Sequence, residues 1–143
     1  MRRMIICLAL VAAACATAPK PLPKASGSYA ISVGGFAVQK APYYDSQPIA
    51  HSLYTDAVRG ALREAFGAPQ QPADGSITVY VFENVTNAQL DAYEPQPPRI
   101  EYTVERADGR KIKGAKYGGD RRTPEDARQL AEDLTREIER RLR

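Results

Sequence analysis

Ser76 to Val85 reads SITVYVFENV, and its alternation sets the fold class. Ile77, Val79 and Val81 fall on one side of a period-two ribbon, Thr78, Tyr80 and Phe82 on the other. Apolar and aromatic residues on both faces predict a central strand. Upstream, Tyr29 to Val38 (YAISVGGFAV) alternates in the same way around Gly34-Gly35. This predicts one strand with a glycine bulge, the alternative being a tight hairpin. Between the two lies a helical pattern, Ser46 to Phe66, with Asp45 or Ser46 as cap and Pro48 in the first turn. Its apolar stripe is Ile49, Leu53, Ala57, Ala61 and Ala65, widened by Tyr54, Val58, Leu62 and Phe66, and Gly67 supplies a left-handed exit.

Downstream, Asn84 to Arg99 reads as a long Pro-containing loop, and Ile100 to Tyr117 as a hairpin. A strict two-residue turn at Asp108-Gly109 would set Val104 opposite Lys113. A three-residue Ala107-Asp108-Gly109 loop with Gly109 left-handed sets Val104 opposite Ile112 and Glu105 opposite Lys111. Only the second register separates an apolar from a charged face. Thr123-Pro124-Glu125-Asp126 then opens a last helix with a Thr cap, Pro at its first position and acids at its positive end. Ala127, Leu130, Ala131, Leu134, Ile138 and Leu142 form its apolar stripe. Glu132–Arg136, Glu137–Arg141 and Glu139–Arg143 are i,i+4 pairs in the favourable order. The expected fold is α+β: a mainly antiparallel sheet of about four strands with two helices packed on one face.

The chain has 143 residues, 43% hydrophobic and 26% charged, the size and balance of one globular domain. Its net charge of +3 is too mild for a dedicated nucleic-acid binder, and no such partner is expected. One His and two Cys leave little for a zinc site, and no cofactor is implied.

The N-terminus carries an address. Arg2 and Arg3 precede an uncharged apolar run from Met4 to Ala14, the layout of a secretory signal. Eleven helical residues span about 16 Å, against a hydrocarbon core of about 30 Å, so a membrane-spanning anchor is too short. Ala12-Ala13-Ala14-Cys15 ends the run and resembles the lipobox of bacterial lipoproteins. That resemblance implies a signal peptide over 1–14, acylation of Cys15 and a lipid anchor in the membrane. By the sorting rule of enteric bacteria, Ala16 rather than Asp after the Cys implies the periplasmic face of the outer membrane. The alternative is cleavage at an Ala-x-Ala site, after Ala14 or Ala16, giving a soluble periplasmic protein. Residues 16–28 (ATAPKPLPKASGS) form an expected tether after Cys15, reaching about 30–40 Å. A single periplasmic domain over 29–143 follows. It contains no thiol, and without Arg2 and Arg3 the remaining 18 Lys and Arg stand against 17 Asp and Glu.

No catalytic constellation is readable. His51 stands at the start of a helical pattern near Asp45 and Asp56 and reads as a surface residue; neither Gly34-Gly35 nor Gly118-Gly119 makes a phosphate-binding loop. Residues 106–122 hold seven basic side chains against Asp108 and Asp120. Arg110, Lys111, Lys113, Lys116, Tyr117, Arg121 and Arg122 are the candidate partner-binding set, for an anionic lipid, a glycan or an acidic protein face. The plainer reading is an edge strand kept soluble by Lys and Arg.

The order strand, helix, strand, hairpin, helix behind a lipobox resembles small envelope lipoproteins. Among them are lipopolysaccharide-assembly lipoproteins, penicillin-binding-protein activator lipoproteins and the curli-secretion lipoprotein domain. The first often continue Cys-Gly-Phe where this chain has Cys15-Ala16-Thr17. The resemblance implies a non-catalytic accessory or scaffold of an envelope assembly, with an envelope protein as partner. A glycan or anionic-lipid binding module using 106–122 is the alternative, and a small periplasmic enzyme the third reading.

Overall fold

The structure, a computed structural model, describes residues 27–38, 46–67, 73–84, 97–119 and 121–143. Cys15, the signal and most of the tether lie outside these residues, as does most of the loop expected between Asn84 and Arg99. The elements run β1 (Tyr29–Val38), β2 (Ser46–Ile49), α1 (Leu53–Phe66), β3 (Gly75–Asn84), β4 (Arg99–Arg106), β5 (Lys111–Tyr117) and α2 (Pro124–Leu142). The strands form one sheet in the order β2-β1-β3-β4-β5. The fold is α+β as expected, with five strands rather than four. β3 is the middle strand, as its two apolar faces require, parallel to β1 and antiparallel to β4.

Residues 46–52 depart from the expectation. Ser46–Ile49 is a short edge strand antiparallel to β1, and the helix starts only at Leu53. Pro48 accounts for this: it disfavours the helical conformation at Gln47 and is tolerated in a sheet at an edge. Ser52 is the true cap, its Oγ accepting from the Thr55 amide at 3.1 Å. The helix therefore buries Tyr54, Val58, Leu62, Ala65 and Phe66, while Leu53 is left exposed. Gly67 closes it at φ 67°, its amide donating to the Arg63 carbonyl at 2.9 Å.

Gly34-Gly35 is neither a bulge nor a turn, because β1 pairs with β3 residue for residue from Tyr29–Gly75 to Val38–Asn84. The glycines answer to packing instead. A Cβ on Gly35 would stand 2.6 Å from Thr55 Oγ1 and 2.9 Å from the Ile49 carbonyl, so α1 could not lie so close to β1.

The hairpin has the expected register, Val104 opposite Ile112 and Glu105 opposite Lys111, with Gly109 at φ 83°. α2 begins at Pro124 with Thr123 Oγ1 accepting from the Asp126 amide at 3.1 Å. Both helices pack on one face of the sheet. Ile77, Val79, Val81, Ile100, Tyr102 and Val104 meet the stripes of α1 and α2 in one buried cluster. Tyr29 packs edge-to-face on Phe66, ring centroids 5.7 Å apart. At one end of the sheet Asp74 laces three segments together. Its amide donates to the Ser28 carbonyl, its carboxylate accepts from the Ser28 amide, and its carbonyl accepts from the Ala107 amide, each at 2.7 Å.

Two expectations test this packing. Leu134→Asp, at a site with no solvent exposure, should cost about 3–5 kcal/mol because the core offers no partner for the charge. Equilibrium denaturation measures it, and an unchanged midpoint would contradict the placement of α2. Gly60 and Gly35 should respond in opposite directions. A Cβ on Gly60 in α1 meets nothing within 4 Å, so Gly60→Ala should stabilise by about 0.5–1 kcal/mol. Gly35→Ala should destabilise, since Thr55 and the Ile49 backbone must move.

Candidate functional site

Among the described residues, both helices lie on one face of the sheet and none covers the second. Its rows follow from the register: Ser32, Thr78, Thr103 and Lys113; Gly34, Tyr80, Glu101 and Ala115; Phe36, Phe82, Arg99 and Tyr117. The last two rows carry four aromatic rings at one end of the sheet. Phe36 stacks on Phe82 at 5.3 Å and meets Tyr80 edge-on at 5.7 Å. Gly34 makes room for them: a Cβ there would lie 3.3 Å from the Tyr80 ring and 3.4 Å from that of Phe36. Tyr80 is 44% exposed and Tyr117 63%. Solvated sheet faces are ordinarily polar, so the clustered rings make this end of the sheet the candidate interaction surface.

The sequence-derived set around the hairpin is dispersed. Arg110 sits in the turn, its Nε 2.7 Å from Asp108 Oδ2. The amide and side chain of Arg110 hold the Asp108 carboxyl below its ordinary range. Lys111 and Lys113 are on the open face, Lys111 paired with Glu105 at 3.3 Å. Lys116 points to the helix side and meets Glu137 Oε2 at 3.2 Å. Arg121 and Arg122 precede α2, where the Arg121 carbonyl accepts from the Tyr54 hydroxyl at 3.0 Å. Only Lys111, Lys113 and Tyr117 share the open face. Tyr117 alone joins the aromatic end.

Sequence reading passed over Phe36, Tyr80, Phe82 and the Arg99–Glu101 ion pair. The signal was present in the second face of SITVYVFENV, where Tyr80 and Phe82 stand out of the helix-facing register.

On the helix side, Glu137 joins α2 to the hairpin. It accepts from the Tyr102 hydroxyl at 2.5 Å and from Lys116 at 3.2 Å. Arg141 lies over the Tyr102 ring, 5.7 Å from its centroid. Burial and the Glu137 carboxylate push the Tyr102 hydroxyl up to about 12. The same hydrogen bond, with Lys116, holds the Glu137 carboxyl below the ordinary range against a desolvation effect that opposes it.

His51 and Ser52 are consecutive but engage different carboxylates. His51 Nδ1 lies 3.1 Å from Asp56, and Ser52 Oγ donates to Glu83. Among the described residues no group of three or more His, Cys, Asp or Glu could hold a metal ion. No helix among them is long and apolar enough to cross a membrane.

No family model and no curated protein matches the sequence. Solved structures give partial likenesses. Two PelC dodecamers from Paraburkholderia phytofirmans align, a single-substitution variant and one without that substitution, at 15% and 16% identity with TM-scores of 0.44 and 0.45. Each alignment covers 81% of this chain, and 93% and 92% of the other. A Xanthomonas campestris protein of family DUF330 aligns at 12% identity and a TM-score of 0.33, covering 87% of this chain and 86% of its own. At such identities and scores neither a function nor a partner passes from those proteins to this chain.

The Glu137 cluster makes stability depend on pH at both extremes. A carboxylate with a depressed folded pKa stabilises above its unfolded value of about 4.3. That contribution is lost as pH falls through the lower folded value. A tyrosine with a raised pKa stabilises below about 10, and its contribution is lost as pH rises from there toward about 12. Glu137→Gln should flatten the acid limb in urea titrations across pH and reduce the alkaline one, which burial of Tyr102 sustains in part, whereas a surface variant such as Glu64→Gln should leave both unchanged.

Proposed function

We propose that this chain is a lipid-anchored, non-catalytic binding protein of the bacterial envelope, an accessory of an envelope assembly held at the periplasmic face of the outer membrane. The observation that carries the reading is Ala12-Ala13-Ala14-Cys15, placed after a short apolar run and before a Pro-, Lys- and Ala-rich stretch. Acylation of Cys15 alone gives membrane attachment; a diacyl or triacyl anchor makes it durable. The domain supports the reading with its helix-free, aromatic sheet face, the form of a docking surface. The soluble periplasmic alternative differs in how the signal is cleaved and in leaving the protein without a lipid anchor.

The charges of the hairpin bear on how it binds. Arg110, Lys111 and Lys116 are each paired with a carboxylate, which favours edge protection over a concentrated anionic-lipid site for this segment.

Cys15→Ser should abolish incorporation of labelled palmitate and move the protein out of the membrane fraction. Palmitate on the serine variant, or membrane retention equal to wild type, would overturn the lipoprotein reading.

A further inference from the structure

The aromatic end of the open face combines exposed rings with charges that are already neutralised. Tyr80 and Tyr117 present a flat apolar body and a polar hydroxyl to solvent. Between them in the register stand Arg99 and Glu101, joined as an ion pair with both side chains about half exposed. A phosphate or carboxylate ligand needs an unengaged cation, and here it would meet Glu101 beside Arg99. An uncharged ligand with apolar C–H faces and polar edges meets no such conflict. The paired guanidinium and carboxylate still offer it donors and acceptors side by side.

We propose that this surface binds the neutral, N-acetylated sugar rings of a glycan chain, its source being the glycan strands of the cell wall. Sugar rings stack on Tyr80 and on Tyr117, while acetamido N–H and C=O groups face Glu101 and Arg99. Phe36 and Phe82 back Tyr80, fixing it as one platform. β3 and β5 are two strand spacings apart, about 10 Å, so the two tyrosines engage different sugars of one chain rather than a single ring. The proposal names the ligand class for the binding protein read above and rests on that reading. It uses the open face and not the lipid anchor.

The test uses the full chain, purified in mild detergent and titrated with chitohexaose. The chain has eight Tyr and no Trp, so tyrosine fluorescence reports directly. Saturable binding is expected, with little change between low and physiological salt. Tyr80→Ala and Tyr117→Ala should each weaken it by about tenfold or more, Tyr117→Ala with an unchanged melting temperature and Tyr80→Ala with a lowered one, because it also loses the Phe36 contact. Tyr117→Phe should keep most of the affinity. Cellohexaose, which lacks acetamido groups, should bind more weakly, and purified sacculi should co-sediment the protein. Absence of saturable chitohexaose binding overturns the proposal, as does wild-type affinity in Tyr117→Ala. Equal binding of cellohexaose overturns the acetamido assignment, and failure to sediment with sacculi overturns the source. Salt-sensitive binding to phosphatidylglycerol vesicles in place of the sugar would show an anionic-lipid face instead. The Cys15→Ser chain should bind sugar like wild type, so failure of the anchor and failure of the glycan site are read separately.

Discussion

Thr55 occupies the space where any side chain on Gly35 would have to be, and the arrangement of both layers depends on that contact. It seats the first turn of α1 against β1, next to Glu83 on the neighbouring strand. The Glu83 carboxylate accepts from the Ser52 hydroxyl and from the Thr55 amide at 3.3 Å, so a negative group sits at the positive end of the helix. With α1 fixed there, its buried stripe lies beside that of α2, and the two cover the same side of the sheet. Among the described residues no third helix is left to cover the opposite side. The candidate binding face is thus a result of how closely one helix can approach one strand.

The hairpin is secured differently. Tyr102 crosses the position of Gly114 and reaches Glu137, which also holds Lys116. Arg141 then donates to the Lys113 carbonyl at 2.8 Å, on the strand that forms one edge of the sheet. An edge carbonyl held by an arginine and flanked by lysines is a poor template for another strand. The other edge, β2, is only four residues long and contains Pro48. Both edges are therefore unsuited to strand addition.

Much of this was legible in the sequence, and the failures have physical causes. Period-two alternation located β3, β4 and β5, and the demand that one hairpin face be apolar set the register of β4 against β5 to the residue. The Thr123-Pro124 start of α2 and its i,i+4 pairs are local chemistry and were readable as such. The start of α1 was misplaced because Ile49 and Leu53 continue a helical period through a segment that Pro48 holds extended. Gly34 and Gly35 read as a backbone irregularity, yet what they accommodate comes from residues 20 and 46 positions away in sequence, Thr55 and Tyr80. The aromatic end had the same difficulty. Phe36, Tyr80, Phe82 and Tyr117 come from three strands, and only the pairing pattern places them on one face. The basic run showed the converse: neighbours in sequence, split by strand parity between the two sides of the sheet.

The lacing of Ser28 to Asp74 places the chain's entry at the opposite end of the sheet from the aromatic rings. Tension entering through the residues before Gly27 and resisted at that far end runs along the axis of β1. Ten paired positions to β3 then carry the load together, in shear, with β2 adding support at the far end. A strand loaded across its axis would instead open one bond at a time. A pull applied at Gly27 along this axis would thus meet the first strand as one unit rather than bond by bond.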